Sequence, residues 1–190
     1  MKKENKNEKI NCLFVGRVEY AKGIYELIEA IKLINKKHLN IEFNIVGGGD
    51  AFEEIEELSK SIPNINLLGQ IANKEELLLK YRDADIFILP THFEGFPRVL
   101  YEAMMSRVAV ITTIVGGIGG IMKNNHNCLS IDVLNPQSIE KAVSKLINEK
   151  EMKNSIINQA TKDIQQLFNG KRKKHLYLLL EHIGVSNESK

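Results

Sequence analysis

The sequence is short of cysteine, and its two cysteines do not suggest a metal site or a disulfide. Cys12 lies inside an apolar run and Cys128 lies near the start of another, with no pair of histidines near either. Two isolated cysteines make a poor zinc site. We therefore expect both thiols to be free and buried, in a protein of a reducing compartment.

Long apolar runs and a strong net charge are also missing. The first ten residues are polar, and no run approaches the ~20 apolar residues of a membrane helix. The net charge of +2 does not by itself indicate binding to nucleic acid or to a membrane. These absences predict a cytoplasmic protein with no nucleic-acid partner and with polar tails at residues 1–10 and 184–190.

Short apolar runs alternate with helical patterns along most of the chain. Phe43–Val46, Ile86–Leu89 and Val108–Thr112 are mostly apolar at successive positions, as in strands buried on both faces of a parallel sheet. Apolar residues recur at three- and four-residue spacing between such runs, most clearly over Ile24–Asn35. The alternation predicts one α/β domain over residues 11–183, with a doubly wound, Rossmann-like parallel sheet of about six strands.

The predicted boundaries place the loops that are rich in glycine and charged residues directly after strands. The predicted strands are Cys12–Val15, Ile41–Val46, Ile65–Leu68, Ile86–Leu89, Ala109–Thr112 and Cys128–Ile131. The predicted helices are Ile24–Asn35, Ala51–Ser61, Lys74–Tyr81 and Pro97–Met105, followed without strands by Pro136–Asn148, Met152–Phe168 and Gly170–His182. Because ligands bind at the carboxyl ends of parallel strands, the loops after them should form the site.

Two cations lie five positions apart in the loop after the first predicted strand. Arg17 and Lys22 lie between Gly16 and Gly23, just before a predicted helix. A guanidinium fork, an ammonium group and the free N–H groups of a helix start all suit a phosphate group. The alternative is that both are ordinary solvated surface cations.

A second segment places two carboxylates eight positions apart, at Glu94 and Glu102. Gly95 allows a tight turn between them, and Pro97 suits the first position of a helix. The N–H groups left free for phosphate near this start would belong to Phe96, Arg98 and Val99.

These two glutamates suit the hydroxyl groups of a sugar. Glu102, just over one turn into the helix, could accept hydrogen bonds from a ribose diol. Glu94, before the helix, would face the opposite end of a diphosphate, where a sugar would lie. Alternatively, both glutamates are surface partners of the helix dipole. The cations and carboxylates together predict a nucleotide-sugar site.

Three motifs carry a family resemblance, namely Gly16–Gly23, Val46–Asp50 and Asp85–Met104. In order and spacing, over about residues 11–183, they resemble the donor-binding half of the family 4 glycosyltransferases. The resemblance implies a retaining, metal-independent enzyme of the GT-B fold and of hexosyltransferase type. It also implies a nucleotide-diphosphate sugar as donor, no further cofactor, and a saccharide or lipid-linked acceptor, with surface polysaccharide synthesis as the setting.

The resemblance also implies residue roles. Arg17 and Lys22 would hold the donor diphosphate, Glu102 the ribose, and Glu94 the transferred sugar near its reacting carbon. Arg17, Lys22 and Glu94 are therefore the candidate catalytic residues. The Val115–Ile118 turn would line the sugar-phosphate end, and the turn ending at Ile71 would flank the base.

The chain departs from the family pattern at several positions and in length. The positional departures are Arg107, Ala109, Gly119-Gly120 and Cys128. A GT-B enzyme also has an N-terminal domain that carries the acceptor site, which implies such a domain or a subunit as a partner. The alternatives to an enzyme fragment are a binding or partner-docking subunit without transfer activity and, less well matched, a sugar-nucleotide epimerase of the same fold.

Other motifs are weaker. The glycines after Val46 fail the dinucleotide fingerprint because Phe52 stands where it needs glycine, and Asp50 is expected to cap the next helix. The Asp83-Ala-Asp85 pattern lies before a strand, away from the ligand edge, so a metal site is not expected there. His92 either contacts the donor sugar or has a structural hydrogen bond.

The last predicted helix offers two contact surfaces. It opens on the basic run 171–174, which is either solvated or a contact for anionic lipid at the inner face of the membrane. Its leucines would dock the missing domain or a second copy.

Overall fold

The computed structural model describes residues 9–38, 40–95 and 98–169. Six strands form one parallel sheet in the order β3-β2-β1-β4-β5-β6, which confirms the predicted doubly wound α/β fold. The strands are β1 (Ile10–Val15), β2 (Ile41–Val46), β3 (Ile65–Gly69), β4 (Ile86–Leu89), β5 (Ala109–Thr113) and β6 (Leu129–Ile131). The helices are α1 (Ile24–Asn35), α2 (Phe52–Ser59), α3 (Lys74–Asp83), α4 (Arg98–Met105), α5 (Pro136–Asn148) and α6 (Lys150–Asn169).

The predicted boundaries agree with these elements to within two residues at each end. The predicted helix Gly170–His182 and the basic run 171–174 lie outside the described residues. Two short 3-10 helices, Tyr20–Lys22 and Gly116–Gly120, follow β1 and β5. Within the described ranges, no helix combines the length and the apolar composition needed to cross a membrane.

The core lies on both faces of the central strands. Every residue of β4 and β5 is buried, because helices cover the sheet on each side. α1 packs against α2 and α5, and α4 packs against α6. The apolar stripe that predicted α1 is buried in these contacts, including Leu27, Ile28 and Ile31.

Three asparagines within the strands bond to one another across the sheet. The side-chain amide of Asn44 in β2 donates to Oδ1 of Asn11 in β1 at 2.6 Å, and that of Asn66 in β3 donates to Oδ1 of Asn44 at 3.0 Å. A half-buried amide without a partner would cost stability. The row of bonds therefore explains how these asparagines are accommodated in mostly apolar strands.

The glycine-rich loop after β2 supports the loop after β1. Gly47 has φ +138°, and a Cβ on it would lie 1.8 Å from the carbonyl oxygen of Gly16. The prediction that Asp50 caps α2 is wrong, because Ala51 is the N-cap residue and no side chain caps the helix. The N–H groups of Ala51 and Phe52 instead donate to the backbone carbonyls of Val18 and Gly49.

Replacing Gly47 should therefore destabilise the protein through backbone overlap. We expect Gly47→Ala to lower the free energy of unfolding by roughly 1–3 kcal/mol, the range for local strain and overpacking. Gly120→Ala is the matched control, because a Cβ there meets no atom within 4 Å. Its effect should stay within about 0.5 kcal/mol. Urea unfolding of the two variants checks this, and equal losses would contradict the proposed close approach.

Candidate functional site

The candidate site lies where the strand order changes direction. β1 and β4 are neighbours, with β2 and β3 beyond β1, and β5 and β6 beyond β4. In doubly wound sheets, ligands bind in the crevice at the carboxyl ends of such a strand pair. The loops after β1 and β4, described over residues 16–23 and 90–95, leave the sheet at this crevice. Their predicted position on one edge is confirmed.

An ion pair joins these two loops. Nζ of Lys22 lies 2.6 Å from Oε2 of Glu94, and each side chain is 15% exposed. Partial shelter from water strengthens such a pair relative to a fully solvated one. The sequence assigned Lys22 and Glu94 to different parts of a ligand, whereas the structure brings them into direct contact.

Backbone contacts fix the positions of both loops. Gly23 has φ +69°, and a Cβ on it would lie 2.1 Å from the carbonyl oxygen of Pro90. Oγ1 of Thr91 donates to the carbonyl of Ala21 at 3.0 Å, and Oγ1 of Thr113 donates to the carbonyl of Thr91 at 2.6 Å. The relative position of Lys22 and Glu94 is therefore set by main-chain packing as well as by their own attraction.

Arg17 is placed differently from Lys22. Its side chain is 73% exposed, and its guanidinium group lies 3.0 Å from Oε1 of Glu19 in the same loop. The structure thus does not join Arg17 to the Lys22–Glu94 pair. An exposed ion pair is weak, so Arg17 can exchange Glu19 for another anion at little cost.

A cavity of about 280 Å³ lies between the end of β1, α3 and the start of α4. Glu102 and Arg98 are polar groups in its wall, and Val15, Ile71 and Val99 are among its apolar residues. The structure therefore brings together four residues that the sequence assigned to ligand binding. An apolar pocket with a few polar groups is the usual form of a small-molecule site.

Tyr81 is a site residue that the sequence reasoning missed. Its hydroxyl donates to Oε2 of Glu102 at 2.8 Å, and the residue is 1% exposed. Burial raises the pKa of Tyr81 well above its usual value, and the charge of Glu102 and the hydrogen bond to it raise it further. Tyr81 therefore stays a neutral donor that fixes one carboxylate oxygen. The sequence contains no signal that distinguishes Tyr81 from the other residues on the apolar face of α3.

The turn after β5 packs against the Glu94 loop. The N–H of Gly117 donates to the carbonyl of Glu94 at 2.9 Å, and a Cβ on Gly117 would lie 1.8 Å from the carbonyl of Gly95. The Val115–Ile118 turn is thus adjacent to Glu94, on the side that the family resemblance assigns to the sugar. Phe96 and Pro97 lie outside the described residues.

His92 is held against the loop after β1. Its ring is 13% exposed and packs edge-on against Tyr20, with ring centroids 4.8 Å apart. Its backbone N–H donates to the carbonyl of Ala21 at 2.9 Å. These contacts give His92 a structural role, and its contact with a sugar stays a prediction.

The remaining candidate groups lie away from this edge. Asp83 and Asp85 precede β4, at the opposite end of the sheet, and Asp85 accepts a hydrogen bond from the backbone N–H of Asn11 at 3.1 Å. Cys12 and Cys128 are buried and unpaired, as predicted. Burial raises the pKa of both thiols, to about 12 for Cys128, which makes them unreactive.

The chain is similar to known glycosyltransferases in sequence. The model of the family described as glycosyl transferases group 1 matches residues 1–163. An uncharacterized glycosyltransferase of Methanocaldococcus jannaschii is 33% identical over 82% of the chain, and the match covers 40% of that protein. The capsular polysaccharide biosynthesis glycosyltransferase CapM of Staphylococcus aureus is 29% identical over 82% of the chain and 41% of its own length. The chain thus spans about two fifths of these relatives.

Solved structures share the fold. The C-terminal domain of the group 1 family glycosyl transferase LpcC from Francisella tularensis has a TM-score of 0.78 at 25% identity, covering 86% of this chain and 88% of that one. Anabaena HepE in complex with UDP-glucose has a TM-score of 0.76 at 18% identity, covering 94% of this chain and 49% of that one. The second likeness shows the fold alone.

The buried Tyr81 hydroxyl should make stability fall at alkaline pH. Its pKa is raised in the folded state, so its contribution is present below the ordinary tyrosine pKa of about 10 and is lost as the pH rises above it. We expect Tyr81→Phe to be the less stable protein at pH 8, and the difference to narrow by roughly 1 kcal/mol at pH 11. Urea unfolding at both pH values measures this.

Tyr20→Phe serves as the control, since Tyr20 is 60% exposed. Its effect on stability should be small at both pH values. A Tyr81→Phe difference that stays constant between pH 8 and pH 11 would contradict the assigned burial of the hydroxyl.

Proposed function

The chain belongs to the group 1 family of glycosyltransferases, and we propose that it is the donor-binding domain of a retaining, metal-independent member. One observation carries the proposal. The Lys22–Glu94 ion pair and the Glu102-lined cavity lie at the same edge of the sheet, at the strand pair where doubly wound folds bind nucleotides. A cation beside a pocket for a nucleoside suits a nucleotide-diphosphate sugar.

The cavity would receive the nucleoside. Oε2 of Glu102 is already bonded to Tyr81, so Oε1 would accept the hydrogen bonds of the ribose hydroxyls. Ile71 would contact the base from the apolar wall, and the free N–H groups at the start of α4 would face the phosphates. Lys22 would meet the phosphate nearest the sugar, because it lies against Glu94.

Catalysis would depend on stabilising the departing diphosphate. The bond between the sugar's anomeric carbon and the phosphate oxygen breaks, and its electron pair leaves with the diphosphate. Lys22 neutralises this charge, together with Arg17 once Arg17 exchanges Glu19 for phosphate. Glu94 supports the sugar at the reacting carbon. The acceptor oxygen attacks from the face that the diphosphate leaves, and its proton passes to the leaving phosphate, so the configuration is retained.

The relatives support a setting in surface polysaccharide synthesis. CapM of Staphylococcus aureus and the putative TuaC of Bacillus subtilis are named for capsular polysaccharide and teichuronic acid biosynthesis. An acceptor that is a saccharide or a lipid-linked sugar fits these names and would bring the enzyme to the inner face of a membrane. Since the chain spans about two fifths of such relatives, transfer is proposed for the domain together with an acceptor-binding partner domain.

Calorimetric titration with UDP, GDP and ADP, without added metal, tests donor binding. We expect one of them to bind, and we expect Lys22→Ala to weaken that binding by about 1.5–3 kcal/mol, the value of a hydrogen bond between charged groups. Lys32→Ala is the control, because Lys32 is an exposed cation paired with Glu29 on α1. If folded protein binds none of the three, the proposal fails. If both variants lose affinity equally, Lys22 has no specific role.

Glu102→Gln tests the ribose assignment. The amide can still accept from Tyr81, so the variant changes mainly the charge that faces the ligand. We expect it to weaken binding of a ribonucleoside diphosphate by about 1.5 kcal/mol or more and to affect the 2′-deoxy analogue less. Glu57→Gln, a charge change at an exposed position on α2, should alter neither. Equal losses for the two ligands would remove the ribose contact from the site.

A further inference from the structure

Two buried polar atoms that lack a hydrogen bond lie next to each other beside the candidate site. Oε2 of Glu26 and Nε2 of His92 are inaccessible to solvent and have no aligned hydrogen-bond partner. They are 3.3 Å apart, and the side chains are 11% and 13% exposed. The separation is long for a hydrogen bond, but a small rotation of the ring would align one.

Burial determines how these two groups face each other. A buried carboxylate oxygen without a donor is unfavourable, and two facing lone pairs would repel. The arrangement in which a hydrogen on Nε2 of His92 points to Glu26 removes both penalties, and we assign the hydrogen to this nitrogen. The carboxylate in this way fixes both the orientation of the ring and the nitrogen that carries the hydrogen.

The pair connects the same two segments as Lys22 and Glu94. Glu26 lies four positions after Lys22, within the first turn of α1, and His92 lies two positions before Glu94. Between these two links, the N–H of His92 and the hydroxyl of Thr91 both donate to the carbonyl of Ala21. A displacement of His92 would therefore move Glu94 relative to Lys22.

We propose that Glu26 is a positioning residue of this site, which acts through His92 to hold the Glu94 loop at the distance that Lys22 requires. The proposal rests on the proposed function, since it concerns the binding of the donor diphosphate. Glu26 does not contact the ligand. It sets the relative position of Lys22 and Glu94, which would contact the ligand at the phosphate nearest the sugar. The Glu102 cavity is not affected.

This location predicts a selective effect on affinity. Glu26→Leu removes the acceptor for His92, and we expect the nucleoside diphosphate to bind roughly tenfold more weakly, about the effect of one hydrogen bond. The matching nucleoside monophosphate, which lacks the distal phosphate, should change by less than about twofold. An equal loss of affinity for the diphosphate and the monophosphate would indicate general damage to the fold and would overturn the proposal.

The test titrates the 190-residue chain with UDP, GDP and ADP and with their monophosphates, and uses the pair that binds. Glu29→Leu is the matched control, because Glu29 lies on the same helix, is 57% exposed and pairs with Lys32. It should bind both ligands as the unaltered chain does. If Glu26→Leu does not fold, Glu26→Gln replaces it, with a smaller loss for the diphosphate only. No loss in either Glu26 variant would overturn the proposal.

A double-mutant cycle tests whether Glu26 acts through His92. In a His92→Leu background, Glu26→Leu should cause no further loss of diphosphate affinity, because the link is already absent. Additive losses would show that Glu26 acts by another route and would overturn the assignment.

An independent measurement separates this proposal from the proposed function. The nitrogen NMR signals of the His92 imidazole should show a hydrogen on Nε2 in the unaltered chain and in Glu29→Leu, and should change in Glu26→Leu. Unchanged signals would overturn the link between the two residues. If none of the nucleotides binds while the signals behave as expected, the donor function fails and the pair itself stands.

Discussion

The contact between the loops that follow β1 and β4 is the feature on which the site depends. The two strands are neighbours, and the sheet continues from them in opposite directions, which leaves a crevice between the loops at their carboxyl ends. Gly23 approaches the carbonyl of Pro90 in a way that no side chain would allow. Lys22 and Glu94 meet as a result.

Backbone contacts hold the loops of the candidate site together, whereas its cations are held by ion pairs. Main-chain hydrogen bonds and close glycine contacts hold the loops after β1, β2, β4 and β5 against one another. The cations, by contrast, are paired with carboxylates, Lys22 with Glu94 and Arg17 with Glu19. Under the proposed function, a diphosphate would compete with these carboxylates for the cations.

The sequence predicts the secondary-structure elements better than it predicts the contacts between side chains. The spacing of isoleucine and leucine predicts helix α1, and consecutive apolar residues predict β4 and β5. These patterns are visible because a helix buried on one face has apolar residues at three- and four-residue spacing, and a strand buried on both faces has them at successive positions. Tyr81 and Glu26 were missed since their partners, Glu102 and His92, are 21 and 66 positions away. Asp50 was assigned a capping role that backbone carbonyls fill instead.

The sequence by itself determined the fold class, the order of strands and helices along the chain, and the loops that carry the cations and carboxylates. It could do so because hydrophobic periodicity and turn residues are local properties. The tertiary structure alone decided which charges are partners, Lys22 with Glu94 and Arg17 with Glu19, and which polar groups face each other, as Glu26 and His92 do. Ion pairs act over a few ångströms in space, and the strand order, not distance along the chain, sets which side chains come that close.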